Sequence, residues 1–269
     1  SMTKSMHTWH WRTWEGLPYL TCSLLEKWPH GFFTQQFWPL YPAEFLPALR
    51  PDVKVYRAKQ VHGNTVVTPK EIEQFVGAET EIGKLDKDFL PPADGIVTEQ
   101  ADRAVWICTA DCTPVLIGDV ETGQVAAIHA GWRGTAQKIV PVAIARLQSA
   151  GSQLKNPRIA LWPANAGEVY QVDEQVAAEV GASIIPSDSP QEILDTLQWL
   201  QNPPILPDEQ DGKVRLDVRR VNELQLERMG ISGEQVAIAP HCTYQQPEHF
   251  FSYRRDKEKK VQWSGIVSS

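Results

Sequence analysis

The run AVWICTADCTPVLIGD at 104–119, followed by TGQVAAIHA at 122–130, constrains the fold more than any other part of the chain. These two stretches read as apolar strands joined through a turn at Asp119 to Gly123, where small and polar residues break the apolar pattern. Folding one strand back on the other can bring Cys112 close to His129 despite their separation in sequence. The rest of the chain must build a sheet around this pair.

Elsewhere the pattern alternates. The first forty residues alternate aromatic and polar groups, as at Trp9 and Trp11, which predicts an edge strand or hairpin. VKVYRAKQVHG at 53–63 is a strand that places His62 and Gly63 at or just past its end. Residues 69–92, rich in charge with two glycines and a proline pair, read as an exposed connection, and ADGIVTEQ resumes a strand. Thr135 is a candidate cap for a helix through KIVPVAIARLQSA, with Pro141 bending it or marking its first turns. RIALW and KVRLDV read as strands, EVYQVDEQVAAEV and QEILDTLQWL as helices, and 203–207 as a Pro-rich loop. Asp217 is placed to cap a helix that presents Val218, Val221 and Leu224 on one face and ends at Gly230. Such alternation predicts an α/β class. At 269 residues the chain can bury a full core, and it reads as one domain over 1–269, with Ser1 ahead of Met2 taken as an added residue.

Composition narrows the partners. A formal net charge of −7 argues against a nucleic-acid or anionic-membrane surface and favours a small soluble substrate. The four cysteines, Cys22, Cys108, Cys112 and Cys242, lack the spacing of a disulfide framework, which predicts a reduced, cytoplasmic protein. No apolar signal region or run of the roughly 20 apolar residues needed for a membrane span is present, so no membrane association is expected. The ten tryptophans are read as large packing residues.

Three separated stretches each end an apolar run with one potential ligand: KQVHGNTV at His62, TADCTPV at Cys112 and AAIHAGWRG at His129. Two imidazoles and a thiolate would hold a tetrahedral metal and leave its fourth position open. A lone buried His or Cys is more often a packing group, and the rival reading makes Cys112 the nucleophile of a metal-free Cys/His hydrolase, which leaves the second His without a role. Asp94 and Asp111 are carboxylates at strand or turn junctions; for Asp94 a backbone-capping turn is the favoured reading, whereas Asp111 is equally a candidate proton acceptor. Arg57, Arg133, and the Arg254–Arg255 pair offer guanidinium groups that match phosphate, with surface salt bridges as the even alternative for each. Gly131 and Gly134 lack the dinucleotide spacing and suggest close backbone approach. In PHCTY, His241 and Cys242 read as pocket wall, with Tyr244 and Phe251 available to stack on a base.

Five blocks in order, QVHG at 60–63, ADGIVT at 93–98, TADCTPVLI at 109–117, AAIHAGWRGT at 126–135 and FFSYRRD at 250–256, resemble the YfiH family. That family is also known as the laccase-domain or multicopper polyphenol oxidase family and is described as purine nucleoside phosphorylases. The resemblance implies a single-domain layered α/β sandwich of the YfiH type, with His62, Cys112 and His129 binding zinc and copper as the alternative metal. It raises Arg133 above the other arginines, and together with the residue readings it gives Cys112, Asp111 and Arg133 as the catalytic candidates and Arg57, Tyr244 and Phe251 as the substrate contacts. The activity implied is phosphorolysis of adenosine, inosine and methylthioadenosine, with adenosine deamination as a second activity, so the partners are nucleoside and phosphate. A peptidoglycan-precursor editing amidase and a non-catalytic zinc-stabilised protein are the competing readings, while 7 His are too few for a multicopper oxidase. Oligomeric state is left open. WPANAGEVY at 162–170 and Gln35 depart from family patterns and bear on substrate preference.

Overall fold

The computed structural model describes residues 8–162, 170–239, 248–250, 252–257 and 260–269. Two six-stranded sheets form its centre. The first has the order β1 (Trp9–Trp14), β2 (Leu17–Cys22), β3 (His30–Phe33), β15 (Gln262–Val267), β7 (Arg103–Thr109) and β4 (Lys54–Tyr56). The second runs β14 (Val236–Ile238), β10 (Pro157–Leu161), β8 (Thr113–Asp119), β9 (Val125–Ala130), β6 (Gly95–Val97) and β5 (Val66–Val67). A small third sheet, β11 (Gln171–Asp173), β13 (Lys213–Leu216) and β12 (Ile205–Pro207), completes the strands. The helices are α1 (Pro42–Phe45), α2 (Pro69–Val76), α3 (Trp132–Ala136), α4 (Ile139–Ser149), α5 (Glu174–Gly181), α6 (Pro190–Gln198), α7 (Val218–Met229) and α8 (Tyr253–Asp256).

Strand alternation sorts the side chains into layers. Val105 and Ile107 of β7 join Leu116 of β8 and Val125 and Ala127 of β9 in the core between the two large sheets. The opposite parity, Val115, Ile117, Ala126 and Ile128, packs against Ile139, Val140, Ala143, Ile144 and Leu147 of α4. On the far side of the first sheet, Ala104 and Trp106 meet Phe33, Phe37 and Phe45. Both faces of each large sheet are therefore covered, giving the layered α/β sandwich. The third sheet shares its apolar cluster with α5, α6 and the Val218, Val221 and Leu224 face of α7.

Several expectations need correction. The run 104–119 is two strands, β7 and β8, belonging to different sheets, and the chain crosses between them at 110–112. Residues 69–92 are not simply an exposed connection: Thr68 accepts from Glu71 N, Glu71 answers to Thr68 N, and Pro69 opens α2, which buries Ile72. Residues 205–207 form the strand β12 on β13 rather than a loop. The segment expected as one helix at 168–180 starts as β11 and becomes α5 only at Glu174. Thr135 lies inside α3 instead of capping the long helix, and Lys138, at φ +60°, separates α3 from α4. Pro141 does occupy the first turn of α4. Asp217 caps α7 through Arg220 N at 3.1 Å, and Gly230 closes it at φ +97°. The N-terminal hairpin pairs Trp9 with Cys22 and turns at Glu15–Gly16, both at positive φ.

Leu116 is fully buried between the sheets, whereas Trp199 is 88% exposed. Leu116→Ala should lower unfolding free energy by about 2–5 kcal/mol in urea titration. Trp199→Ala should shift it by less than about 0.5 kcal/mol, and equal effects would contradict the layer assignment.

Candidate metal centre

The second sheet's register explains why three distant residues meet. Thr113 pairs with Ala130 and Pro114 with His129, so Cys112, one residue before β8, lies across from the end of β9. Cys112 keeps the parity of Pro114 and Leu116, and His129 that of Val125 and Ala127. Both therefore fall on the face turned toward the first sheet. Gly95 of β6 pairs with Ile128, and His129 N donates to Asp94 O at 2.7 Å, which brings the start of β6 beside the same strand end.

His62 arrives on a loop that has no strand to hold it. Its anchor is Asp94, whose carboxylate accepts Val61 N at 3.0 Å, His62 N at 3.0 Å and Gly63 N at 3.1 Å. His62 sits at φ +62°, a left-handed conformation that costs roughly 1 kcal/mol or more in a non-glycine residue. Three hydrogen bonds to a buried carboxylate more than offset that cost. Gln60 fixes the other side of the loop by exchanging two bonds with the Cys108 backbone, at 2.7 and 2.9 Å.

The same carboxylate orients His129, whose Nδ1 lies 2.7 Å from Asp94 Oδ2. Nδ1 is thus the protonated nitrogen and Nε2 is left to face the cluster. The available ligand atoms of His62, Cys112 and His129 all lie within 4.8 Å of one another. Tetrahedral ligation at zinc requires roughly 3–4 Å between such atoms, so only small side-chain adjustments separate this arrangement from one in which all three could hold the same ion. The donor set, one thiolate and two imidazoles, suits zinc and also copper(I). Among the described residues no second group of three or more His, Cys, Asp or Glu ligands gathers.

Electrostatics agree with ligation. Burial works to raise the Cys112 thiol, but the charge and hydrogen bonds of His129 and His62 outweigh it and bring the group down to about 6. Burial also acts against His129, yet Cys112 and Asp94 push it up to about 10. Asp94 is held below the usual carboxylate range: desolvation opposes this, while His129 and the Val61 and Gly63 amides prevail. By contrast, burial raises Cys22 and Cys108 to about 11, which leaves them as ordinary thiols.

Two glycines let the elements close on the centre. A Cβ on Gly131 would stand 3.0 Å from Cys112 Sγ, and one on Gly134 would stand 2.9 Å from Gly63 O. These are the close approaches expected for the AGWRG turn.

The other sequence candidates divide. Asp94, read as a turn carboxylate, does cap the His62 loop but also orients a ligand imidazole. Asp111 accepts Ser252 Oγ at 2.5 Å on one oxygen and Arg254 N at 2.8 Å on the other, so it fastens α8 to the residue beside Cys112. Arg57, expected on substrate, is only 4% exposed; it stacks under Tyr41 and Trp263, and its Nη1 donates to the carbonyls of Ile82, Gly83 and Leu85. That environment gives it a structural task. Arg133 is exposed on the first turn of α3 with its guanidinium 4.4 Å over the Trp132 ring. Tyr244 and Phe251, together with His241, Cys242 and the 163–169 part of WPANAGEVY, lie outside the described residues. Tyr170 escaped the sequence reading: it stands near enough for the Cys112 charge to raise its hydroxyl, after burial as the larger cause, and Arg254 lies 4.3 Å over its ring. No residue-type signal marks such a tyrosine.

The model of the family described as Multi-copper polyphenol oxidoreductase laccase matches residues 44–267, and the chain belongs to this family. It is 50% identical over 270 residues to purine nucleoside phosphorylase slr1573 of Synechocystis sp., spanning 99% of this chain and 100% of that one. It is 30% identical over 206 residues to purine nucleoside phosphorylase YlmD of Geobacillus stearothermophilus, spanning 74% of this chain and 66% of that one. The crystal structure of the same YlmD matches with a TM-score of 0.77 at 21% identity, covering 96% of this chain and 98% of that chain. Bacillus licheniformis YfiH matches at 0.78 and 22%, covering 96% and 99%, so the sandwich is the fold of these proteins. No helix among the described residues is long and apolar enough to cross a membrane.

Asp94→Asn retains the shape of the carboxylate but removes its charge, so zinc affinity should fall by about 10–100-fold in a chelator competition. Unchanged affinity would show that His129 does not depend on Asp94 for its orientation.

Proposed function

We propose that this chain is a zinc-dependent purine nucleoside phosphorylase acting on adenosine, inosine and S-methyl-5'-thioadenosine, with adenosine deamination as a side activity of the same centre. The observation that carries the reading is the convergence of His62, Cys112 and His129 in a chain half identical, end to end, to a protein of that name. In this reaction an oxygen of phosphate forms a bond to C1' of the ribose as the bond from C1' to the purine nitrogen breaks, and the departing base takes a proton.

His62, Cys112 and His129 would hold the metal, which would supply Lewis-acid chemistry to the reaction. The protein's own groups do the rest. Asp94 keeps His129 in one tautomer and His62 in place. Arg133, following the ligand turn, is the candidate clamp for phosphate, because a guanidinium matches two phosphate oxygens at once. Asp111 enters as a positioning group, since both of its oxygens already accept hydrogen bonds. Three free thiols, Cys22, Cys108 and Cys112, fit a reducing, cytoplasmic setting for this activity.

A second reading rests on a specific contact. Cys112, His129 and Asp94 stand in the order nucleophile, base and orienter, with the His129–Asp94 bond at 2.7 Å, which is also the arrangement of a metal-free thiol hydrolase.

Product chromatography separates these. Incubated with inosine, the protein should release hypoxanthine and ribose 1-phosphate only when phosphate is present; free ribose without phosphate would replace the phosphorylase with a hydrolase. Cys112→Ala should lose zinc and activity together, whereas loss of activity with zinc retained would favour the thiol nucleophile. Arg133→Lys should raise the KM for phosphate by about tenfold while leaving the nucleoside KM within about twofold, because one ammonium cannot reproduce the planar fork. An unchanged phosphate dependence would remove Arg133 from the clamp.

A further inference from the structure

The SYRRD segment carries two adjacent arginines, and the structure treats them differently. Arg255 is neutralised: its Nε and Nη2 reach the two oxygens of Asp256 at 2.9 and 2.7 Å, and Nη2 also donates to Phe250 O at 2.7 Å. Arg254 has no carboxylate partner among the described residues. Its backbone N–H donates to Asp111 at 2.8 Å, one residue before the ligand Cys112, and its Nη1 donates to Gln171 O at 2.9 Å.

Arg254 is half-buried, and its Cζ lies 4.3 Å from the centroid of the Tyr170 ring. Gln171 is itself braced, donating to Asp208, which pairs with Arg215. The arginine is thus fixed by a ring, a carbonyl and its own backbone rather than by an opposite charge. A cation drawn partly out of water without a counter-charge is costly, and an anion arriving beside it recovers that cost. The 2.8 Å bond from its backbone N–H to Asp111, the residue next to Cys112, places Arg254 beside the turn of the candidate metal centre rather than on a remote surface.

We infer that Arg254, laid on Tyr170 and tied through Asp111 to the turn that carries Cys112, is a phosphate-binding residue of this centre. One edge of its fork faces Gln171 O, and the remaining donors receive two oxygens of inorganic phosphate. The identity of the anion rests on the phosphorylase reading; the presence of an anion seat rests on Arg254 alone. Asp111 and Tyr170 are positioning residues in this account, acting through the arginine they hold.

Calorimetric titration of the purified protein with inorganic phosphate tests the assignment directly, without turnover. Arg254→Gln should weaken phosphate binding by about tenfold or more, while Arg255→Gln, which removes an already paired charge, should stay within about twofold. Equal losses in the two variants would mean a general field effect and would overturn the seat, as would an unchanged affinity in Arg254→Gln or a parent that binds no phosphate. If Arg254→Gln fails to fold, Arg254→Lys serves in its place: it keeps the stem and the charge but loses the fork, so binding should still weaken several-fold, and parental affinity would overturn the inference. Parallel assays on inosine keep the two readings apart. Phosphate that binds through Arg254 but does not alter nucleoside cleavage would refute the phosphorylase while leaving the seat standing.

Discussion

The carboxylate of Asp94 accepts three backbone amides of the 61–63 loop and the Nδ1 proton of His129, and the geometry of the centre depends on that convergence. The group is fully buried, so each of these bonds forms in a medium where an unpaired carboxylate would be untenable. One side chain thereby fixes His62, which belongs to no regular element, and the tautomer of His129, which belongs to a strand. The strained His62 backbone and the buried charge compensate one another. Remove either and the other becomes a liability.

Sheet register does the remaining work. Cys112 and His129 are brought together by the β8–β9 pairing, which is set by the apolar alternation of both strands, since a slip of one residue would exchange the inter-sheet and helix-facing sets. The centre therefore inherits its precision from the core rather than from loops. The helix side contributes through α7, where Asn222 and Gln225 donate to Thr135 at 3.1 and 2.8 Å and hold α3, with the close-packed Gly134 inside it and Gly131 at its start, against the turn after His129.

What could be read from the chain follows from the range of each interaction. The β8–β9 pair, the α7 cap at Asp217 and the N-terminal hairpin are local patterns, and they were legible. The break between β7 and β8 was not, because a strand that changes sheets keeps its apolar alternation and signals the crossing only by Ala110, Asp111 and Cys112. The α2 capping box was present in TPKE but was outweighed by the charge of its surroundings. Arg57 shows the limit most clearly: its placement near the ligand in sequence suggested substrate, while Tyr41, Trp263 and the 82–85 carbonyls, all distant in sequence, determine what it does. The three residues that converge, His62, Cys112 and His129, stood out in sequence as residue types beside glycine or a small residue, but the dual task of Asp94 became visible only with the His62 loop and β9 side by side.

The metal-centre and thiol-hydrolase readings use the same three contacts, and the physical difference between them is what neutralises Cys112. Without metal, the thiolate is balanced by an imidazolium at His129, which is why one group falls to about 6 and the other rises to about 10. A divalent metal held by His62, Cys112 and His129 would take the place of that imidazolium as the counter-charge to the sulfur. Asp94 serves either state, because an Nδ1–H bond to a carboxylate stabilises an imidazolium and also makes a neutral imidazole a better donor to metal. His62 tips the balance. A Cys–His–Asp relay has no need of a second imidazole, yet the protein accepts a left-handed backbone and devotes three amide hydrogen bonds to keeping His62 at the sulfur. That investment is intelligible when the sulfur and both rings share one ion.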